Sequence, residues 1–102
     1  MATVTSKALF RGAATTTVGT TLYTVPASTT TVVTNIAVSN TAATAATFTF
    51  ALAGTNLHTT TAIAANTTAY IDCKQVLVAT NTITGGASAI TVSFHLSGVE
   101  IA

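Results

Sequence analysis

The sequence has little of what chemistry and electrostatics usually require. Of its 102 residues only Lys7, Arg11, Asp72, Lys74 and Glu100 are formally charged, or 5%, against about 25% in ordinary soluble domains. The net charge is +1 and the three cations are scattered. That argues against a nucleic-acid groove, which needs clustered Lys or Arg. Asp72 and Glu100 are the only acids. A glycosidase pair would have to face across a cleft, and nothing in the sequence sets them there. Cys73 is the single cysteine, so an intrachain disulfide is excluded.

Neither His58 nor His95 is tied by spacing to Cys73 as a nucleophile's base. With Asp72 and Glu100 they form no metal-ligand pattern. Cys73 is expected to be a small buried or half-buried thiol, and both histidines surface or interface residues. Tryptophan is absent and Pro26 is the one proline. Gly85-Gly86 is not followed by the Lys-Ser/Thr helix start of a phosphate loop. No enzyme activity, cofactor or metal is expected.

No apolar run of about 18 residues escapes frequent Thr, Ser or Asn, so no transmembrane helix is indicated. The outward positions of the strand patterns are Thr, Ser and Asn rather than the lipid-facing apolar set of a membrane barrel. The N-terminus lacks the basic start and apolar run of a signal peptide. The chain is therefore expected to be made and assembled in a cytoplasm.

What is present is threonine and alanine, 26 and 20 residues respectively. Threonine is β-branched and favours strands, and its hydroxyl keeps a strand face wet without charge. The stretch Thr29–Leu52 is the clearest organiser. Val32, Thr34, Ile36 and Val38 recur every second residue, as do Phe48, Phe50 and Leu52, so each set shares one face of a strand. Asn40–Ala46 between them has the length and polarity of a hairpin loop. Ile90, Val92, Phe94 and Leu96 repeat the pattern in a last long strand, expected to be central. These ten apolar residues are the expected core, with Thr34 among them in phase.

Further strands are predicted over Thr15–Val25, Leu57–Ile63, Thr68–Cys73 and Gln75–Ala79, the last two readable as one bent strand. Turns are predicted at Pro26-Ala27-Ser28, Gly54-Thr55-Asn56 and, most strongly, Gly85-Gly86. Strands every ~10–12 residues with turns between them indicate a sandwich or small barrel. At this length one domain can bury roughly 60–70% of its unfolded surface. Met1–Ala14 lacks sustained alternation. It is expected to be an arm that docks on a partner through Leu9, Phe10 and Arg11, with the sandwich spanning Thr15–Ala102.

Four pieces carry a resemblance: Leu22-Tyr23-Thr24-Val25-Pro26-Ala27, Val33-Thr34-Asn35-Ile36-Ala37-Val38-Ser39-Asn40, Ile63-Ala64-Ala65-Asn66 and Gly98-Val99-Glu100-Ile101. Together they resemble small β-sandwich virion structural proteins of tailed bacteriophages, of the capsid decoration or tail/fibre type. The resemblance implies no catalytic residues. It implies a non-enzymatic virion subunit, first a capsid decoration (cement) protein that binds the outer head surface and stabilises the shell. A tail, collar or fibre component is the alternative. A glycan-binding sandwich is a third reading, with Tyr23 and Tyr70 as the available aromatic platforms.

The expected fold is thus an all-β antiparallel β-sandwich, jelly-roll or Ig-like, of about seven or eight strands after an N-terminal arm. Expected partners are a major capsid protein or other virion subunits, and further copies of the chain, a trimer first. A surface so poor in charge is weakly protected against association.

Overall fold

The computed structural model describes residues 3–17 and 19–102, and of Cys73 the backbone alone. The expectation for the Cys73 thiol, and the parts of the arm and first strand region at Met1, Ala2 and Val18, lie outside the described residues.

Eight strands follow one another: β1 (Val4–Ala13), β2 (Thr21–Thr24), β3 (Thr30–Asn40), β4 (Ala46–Leu52), β5 (Thr55–Ile63), β6 (Thr67–Leu77), β7 (Thr82–Ala87) and β8 (Val92–Ile101). They form two four-stranded sheets, ordered β1-β8-β3-β6 and β2-β7-β4-β5, with antiparallel pairing throughout. Of the connections, β4 to β5 stays within one sheet and every other crosses to the opposite sheet. Eight strands wound in this way are a jelly roll, which decides between the two sandwich types expected.

The core lies between the sheets. Phe48, Phe50 and Leu52 of β4 and Val92, Phe94 and Leu96 of β8 are buried, as are Ile36 and Val38 of β3. The Phe50 and Phe94 rings meet across the sandwich with centroids 4.4 Å apart. Eight of the ten expected core residues are therefore in place. β8 sits between β1 and β3, central as its composition requires.

Two core assignments are corrected. Val32 is only half-buried, while Thr31 and Val33 are fully buried. A β-bulge between Val33 and Asn35 inserts Thr34 and resets the alternation, and such a residue turns one half of a strand over relative to the other. Ile90 is 70% exposed, because β8 starts two residues later and Ile90 belongs to the preceding loop.

The arm is corrected too. Val4–Ala13 is β1, an edge strand paired with β8 from Val4↔Ile101 to Ala13↔Ser93. Its alternation is hidden by a bulge between Ala8 and Phe10. Leu9 is the inserted residue, so Leu9 and Phe10 both lean inward: Leu9 is buried and Phe10 packs on the core. The domain begins at β1 rather than at Thr15. Gly85-Gly86 is likewise no turn, but lies inside β7. A Cβ on Gly85 would stand 2.8 Å from the Phe50 ring, so glycine is needed there for close packing.

Asn40–Ala46 is not a hairpin loop, since β3 and β4 belong to different sheets. What shapes it is Asn40, which is 1% exposed. Its Nδ2 donates to the carbonyls of Thr44 and Ala64 at 2.9 and 3.3 Å. Its Oδ1 accepts from the Ala42 amide at 3.1 Å and from the Thr91 hydroxyl at 3.4 Å. One amide thus ties together three connections at one end of the sandwich. Asn40→Asp exchanges both donations for carboxylate–carbonyl repulsion. It should lower the unfolding free energy by roughly 2–4 kcal/mol at neutral pH and recover in part as pH falls toward about 4, because the disfavoured carboxylate takes up its proton more readily in the folded state. Denaturant titrations at both pH values check this, and a wild-type value at neutral pH would remove the amide from this role.

Candidate functional site

The residues weighed for chemistry are dispersed. His58 is half-buried on β5 of the second sheet, tilted against the Phe48 ring at 5.7 Å, with Thr61 Oγ1 3.5 Å from its Nδ1. His95 lies on β8, on the outer side of the first sheet. Asp72 is on β6, on that same outer side. Glu100 is in the inward phase of β8, at the sandwich end. The two acids therefore face no common cleft. Among the described residues no three His, Cys, Asp or Glu side chains converge on a metal-sized space. Of the three residues expected to dock on a partner, Leu9 and Phe10 belong to the chain's own core. Arg11 is exposed and has no ion-pair partner among the described residues.

The structure gathers instead a continuous surface, the outer face of the β1-β8-β3-β6 sheet. The strand registers set side chains in cross-strand rows. Ser6 of β1, Val99, Val32 and Val76 form one row, and Ala8, Ser97, Asn35 and Asp72 the next. Arg11, His95, Ala37 and Tyr70 form the third. Val4 and Ile101 extend the apolar end, beside Val78 just past β6. Tyr70 is 73% exposed, Val4 64%, Val76 63% and Val78 58%, four of the six large apolar side chains that the described residues leave exposed. In an antiparallel sheet such opposed side chains are near neighbours, so these residues act as one surface.

Bulges cross this sheet in line: Leu9 on β1, Thr34 on β3, and an extra residue on β6 between Asp72 and Gln75. Bulges bend and twist a sheet locally. The bend opens a groove of about 400 Å3, lined by residues that include Lys7, Arg11, Thr34 and Ser97. Thr34 Oγ1 donates to the Ser97 carbonyl at 3.3 Å, pinning the bulge to β8.

One polar network joins the two sheets at the sandwich end. The buried Tyr23 hydroxyl of β2 donates to Glu100 Oε2 and lies 2.9 Å from Thr31 Oγ1. Lys7 Nζ closes the network at 3.3 Å from Glu100 Oε2. The Tyr23 hydrogen bond, helped by Lys7, holds the Glu100 carboxyl below its usual range against the opposing effect of burial. Burial first, and then the Glu100 hydrogen bond, raise the Tyr23 phenol above 10.0. A carboxylate with a lowered folded pKa stabilises above its unfolded value, and that stability is lost as pH falls through the folded value. A phenol with a raised pKa stabilises below its unfolded value and loses this as pH rises through the folded one. Stability should therefore hold from about pH 5 to 9 and fall on both sides. Tyr23→Phe should flatten both flanks, which melting curves across pH would record. Unchanged flanks in that variant would dismiss the network as their source. Sequence spacing gave no hint of this contact, because Tyr23 and Glu100 meet only once β2 and β8 are stacked.

No family model matches the sequence, and no curated protein matches it. Among solved structures, a chain of the T13 viral particle of IBDV is similar at a TM-score of 0.57 and 10% identity, over 98% of this chain and 30% of that one. The CBM36-1 domain of a multidomain xylanase from the hindgut metagenome of Trinervitermes trinervoides gives a TM-score of 0.46 at 12% identity, over 100% of this chain and 97% of that one. This chain thus spans about a third of the viral-particle chain it resembles. At that identity the likeness is one of fold: the chain is a jelly-roll β-sandwich of the kind found within that particle's chain.

Proposed function

We propose that this chain is a non-enzymatic structural subunit of a virion, docking on its neighbours through the outer face of the β1-β8-β3-β6 sheet. One observation carries the reading. That face carries its charges on its edge strands, Arg11 on β1 and Asp72 and Lys74 on β6, and holds Val4, Tyr70, Val76 and Val78 well exposed, and exposed apolar patches of this kind mark interaction sites. The shared fold with a chain of a viral particle and the resemblance to phage virion proteins favour a virion as the setting.

The finer reading is a capsid decoration protein of a bacteriophage, bound to the outer head surface and tying major capsid proteins together. At about 25 cal/mol per Å2, roughly 300 Å2 of apolar contact contributes about 7 kcal/mol. The freedom lost on association offsets much of that. Each copy is then weakly held, and a shell is strengthened by the number of copies. A tail, collar or fibre component is the alternative, because the same face would serve there. The glycan-binding reading has less support: Tyr70 is exposed on the face, but Tyr23 is buried in the core.

The test is mass spectrometry of density-purified particles from the source culture, followed by immunogold labelling of the chain. Label on heads supports decoration, and label on tails supports the alternative. Absence from every particle class overturns the virion reading, and a positive glycan array would then replace it.

A further inference from the structure

We infer that the outer face of the β1-β8-β3-β6 sheet binds a second copy of this chain face to face, about a two-fold axis running along the strands between β8 and β3. The inference rests on the reading of that face as a docking surface and names its partner.

Arg11 stands on β1 and Asp72 on β6, the two opposite edges of one sheet. Three strand spacings separate those edges, about 14 Å, so the two charges do not meet within one copy. Arg11 shares a row with Tyr70, and Asp72 lies in the adjacent row. A two-fold rotation about the strand direction exchanges the edges and keeps the rows. It sets Arg11 of each copy over Tyr70 of the other, with Asp72 one row away, about 7 Å along β6. An arginine crossing a sheet–sheet gap of about 10 Å can lie on the ring while its guanidinium reaches the carboxylate. Both contacts form twice. The other in-plane two-fold, across the strands, lays β1 on β1, which holds no acid, and so leaves Arg11 without a carboxylate, while Asp72, which accepts from Asn35 Nδ2 at 3.4 Å within its own copy, would face only β6. Charge therefore selects one axis.

The same axis orders the apolar row. It brings Val99 of each copy onto Val32 of the other, over the two middle strands of the sheet. Val76 then covers Ser6 at the margin. Four strands by about nine residues give a face of about 20 by 30 Å, so a pair buries about 1,200 Å2 in total. That is the lower edge of specific interfaces, which predicts a reversible pair rather than an obligate one. Residues that conform so closely to their own two-fold image are what an isologous contact requires.

The experiment uses the full chain and sedimentation velocity from micromolar to millimolar concentration, with Arg11→Asp, Asp72→Arg and their equimolar mixture. Both side chains are exposed, so unchanged melting curves serve as the control for folding. The wild type should pair. Each variant alone should dissociate at least about tenfold more readily, because like charges then oppose at both contacts. The mixture should return to within about threefold of wild type, because each copy supplies the charge that the other needs. A monomeric wild type, a trimer indifferent to both variants, or a mixture no tighter than its components would each overturn the pairing. Particle binding is scored separately. Chain found in particles with no charge rescue rejects this pairing and leaves the virion reading standing, whereas rescue with no chain in particles does the reverse.

Discussion

Phe94→Ala should lower the unfolding free energy by about 3–5 kcal/mol, a large part of the roughly 5–15 kcal/mol that a domain of this size has in all. Phe94 is fully buried in the middle of β8 and its ring lies against that of Phe50 at 4.4 Å. Truncation removes the one ring that β8 contributes to the core. The neighbours that would have to collapse into the space are held by β4 and β3 on either side of the sandwich. Phe50→Ala should cost as much, and the double variant less than the sum, since the two rings share one contact. Denaturant titrations of the three proteins decide it. A near-neutral Phe94→Ala would mean that β8 presents the other phase to the core.

Gly98→Ala should be as damaging by the opposite route. A Cβ at this position would stand inside the envelope of the Val32 carbonyl oxygen, with Leu9 Cδ1 at 3.1 Å and the Val32 carbonyl carbon at 3.2 Å. The Val32 atoms are backbone of the paired strand and cannot swing aside, so β8 and β3 must separate locally. The expected loss is about 3 kcal/mol or more. Gly19→Ala is the control, because nothing lies within 4 Å of a Cβ there, and it should be neutral. Equal stability of the two variants would show that the close approach of β3 to β8 is not real.

These two positions also mark what the sequence could and could not disclose. Phe94 was legible: β8 and β4 carry no bulge within their core segments on the core side, so apolar alternation reads straight through from Val92 to Leu96 and from Phe48 to Leu52. Gly98 adds no side chain to that pattern, yet it continues β8 at its closest approach to β3. Alternation alone puts Val32 in the core, because nothing in it signals the Thr34 bulge, which moves the inward phase to Val33. The same blindness made an arm of β1, where Leu9 is the inserted residue. Alternation is a local signal, and a bulge is a response to strands that are remote in sequence. The outer face was half legible. Alternation puts Tyr70 and Asp72 on one side of β6 and Ile71 on the other, but only the strand order brings Tyr70 beside Ala37 and Asp72 beside Asn35. Sheet crossing was invisible for a similar reason, since a loop of five small residues suits a hairpin and a crossing equally well. Asn40 shows the difference only through the partners it finds at Ala64 and Thr91.

The position of β8 has a further consequence, for the order in which the chain can become a protein. β8 follows every other strand in the chain, yet its place is between β1 and β3. During synthesis at about 5–20 residues per second, β1 has no partner in its sheet until β8 emerges, and β3 has only β6. One side of the sandwich then exposes unpaired backbone and the inner faces of Ile36 and Val38 to solvent. Closing it joins segments about ninety residues apart, the slow kind of contact in folding. A nascent chain held in that state offers a strand-shaped vacancy to any other copy nearby. Productive folding therefore depends on β8 arriving before a neighbour's strand takes its place.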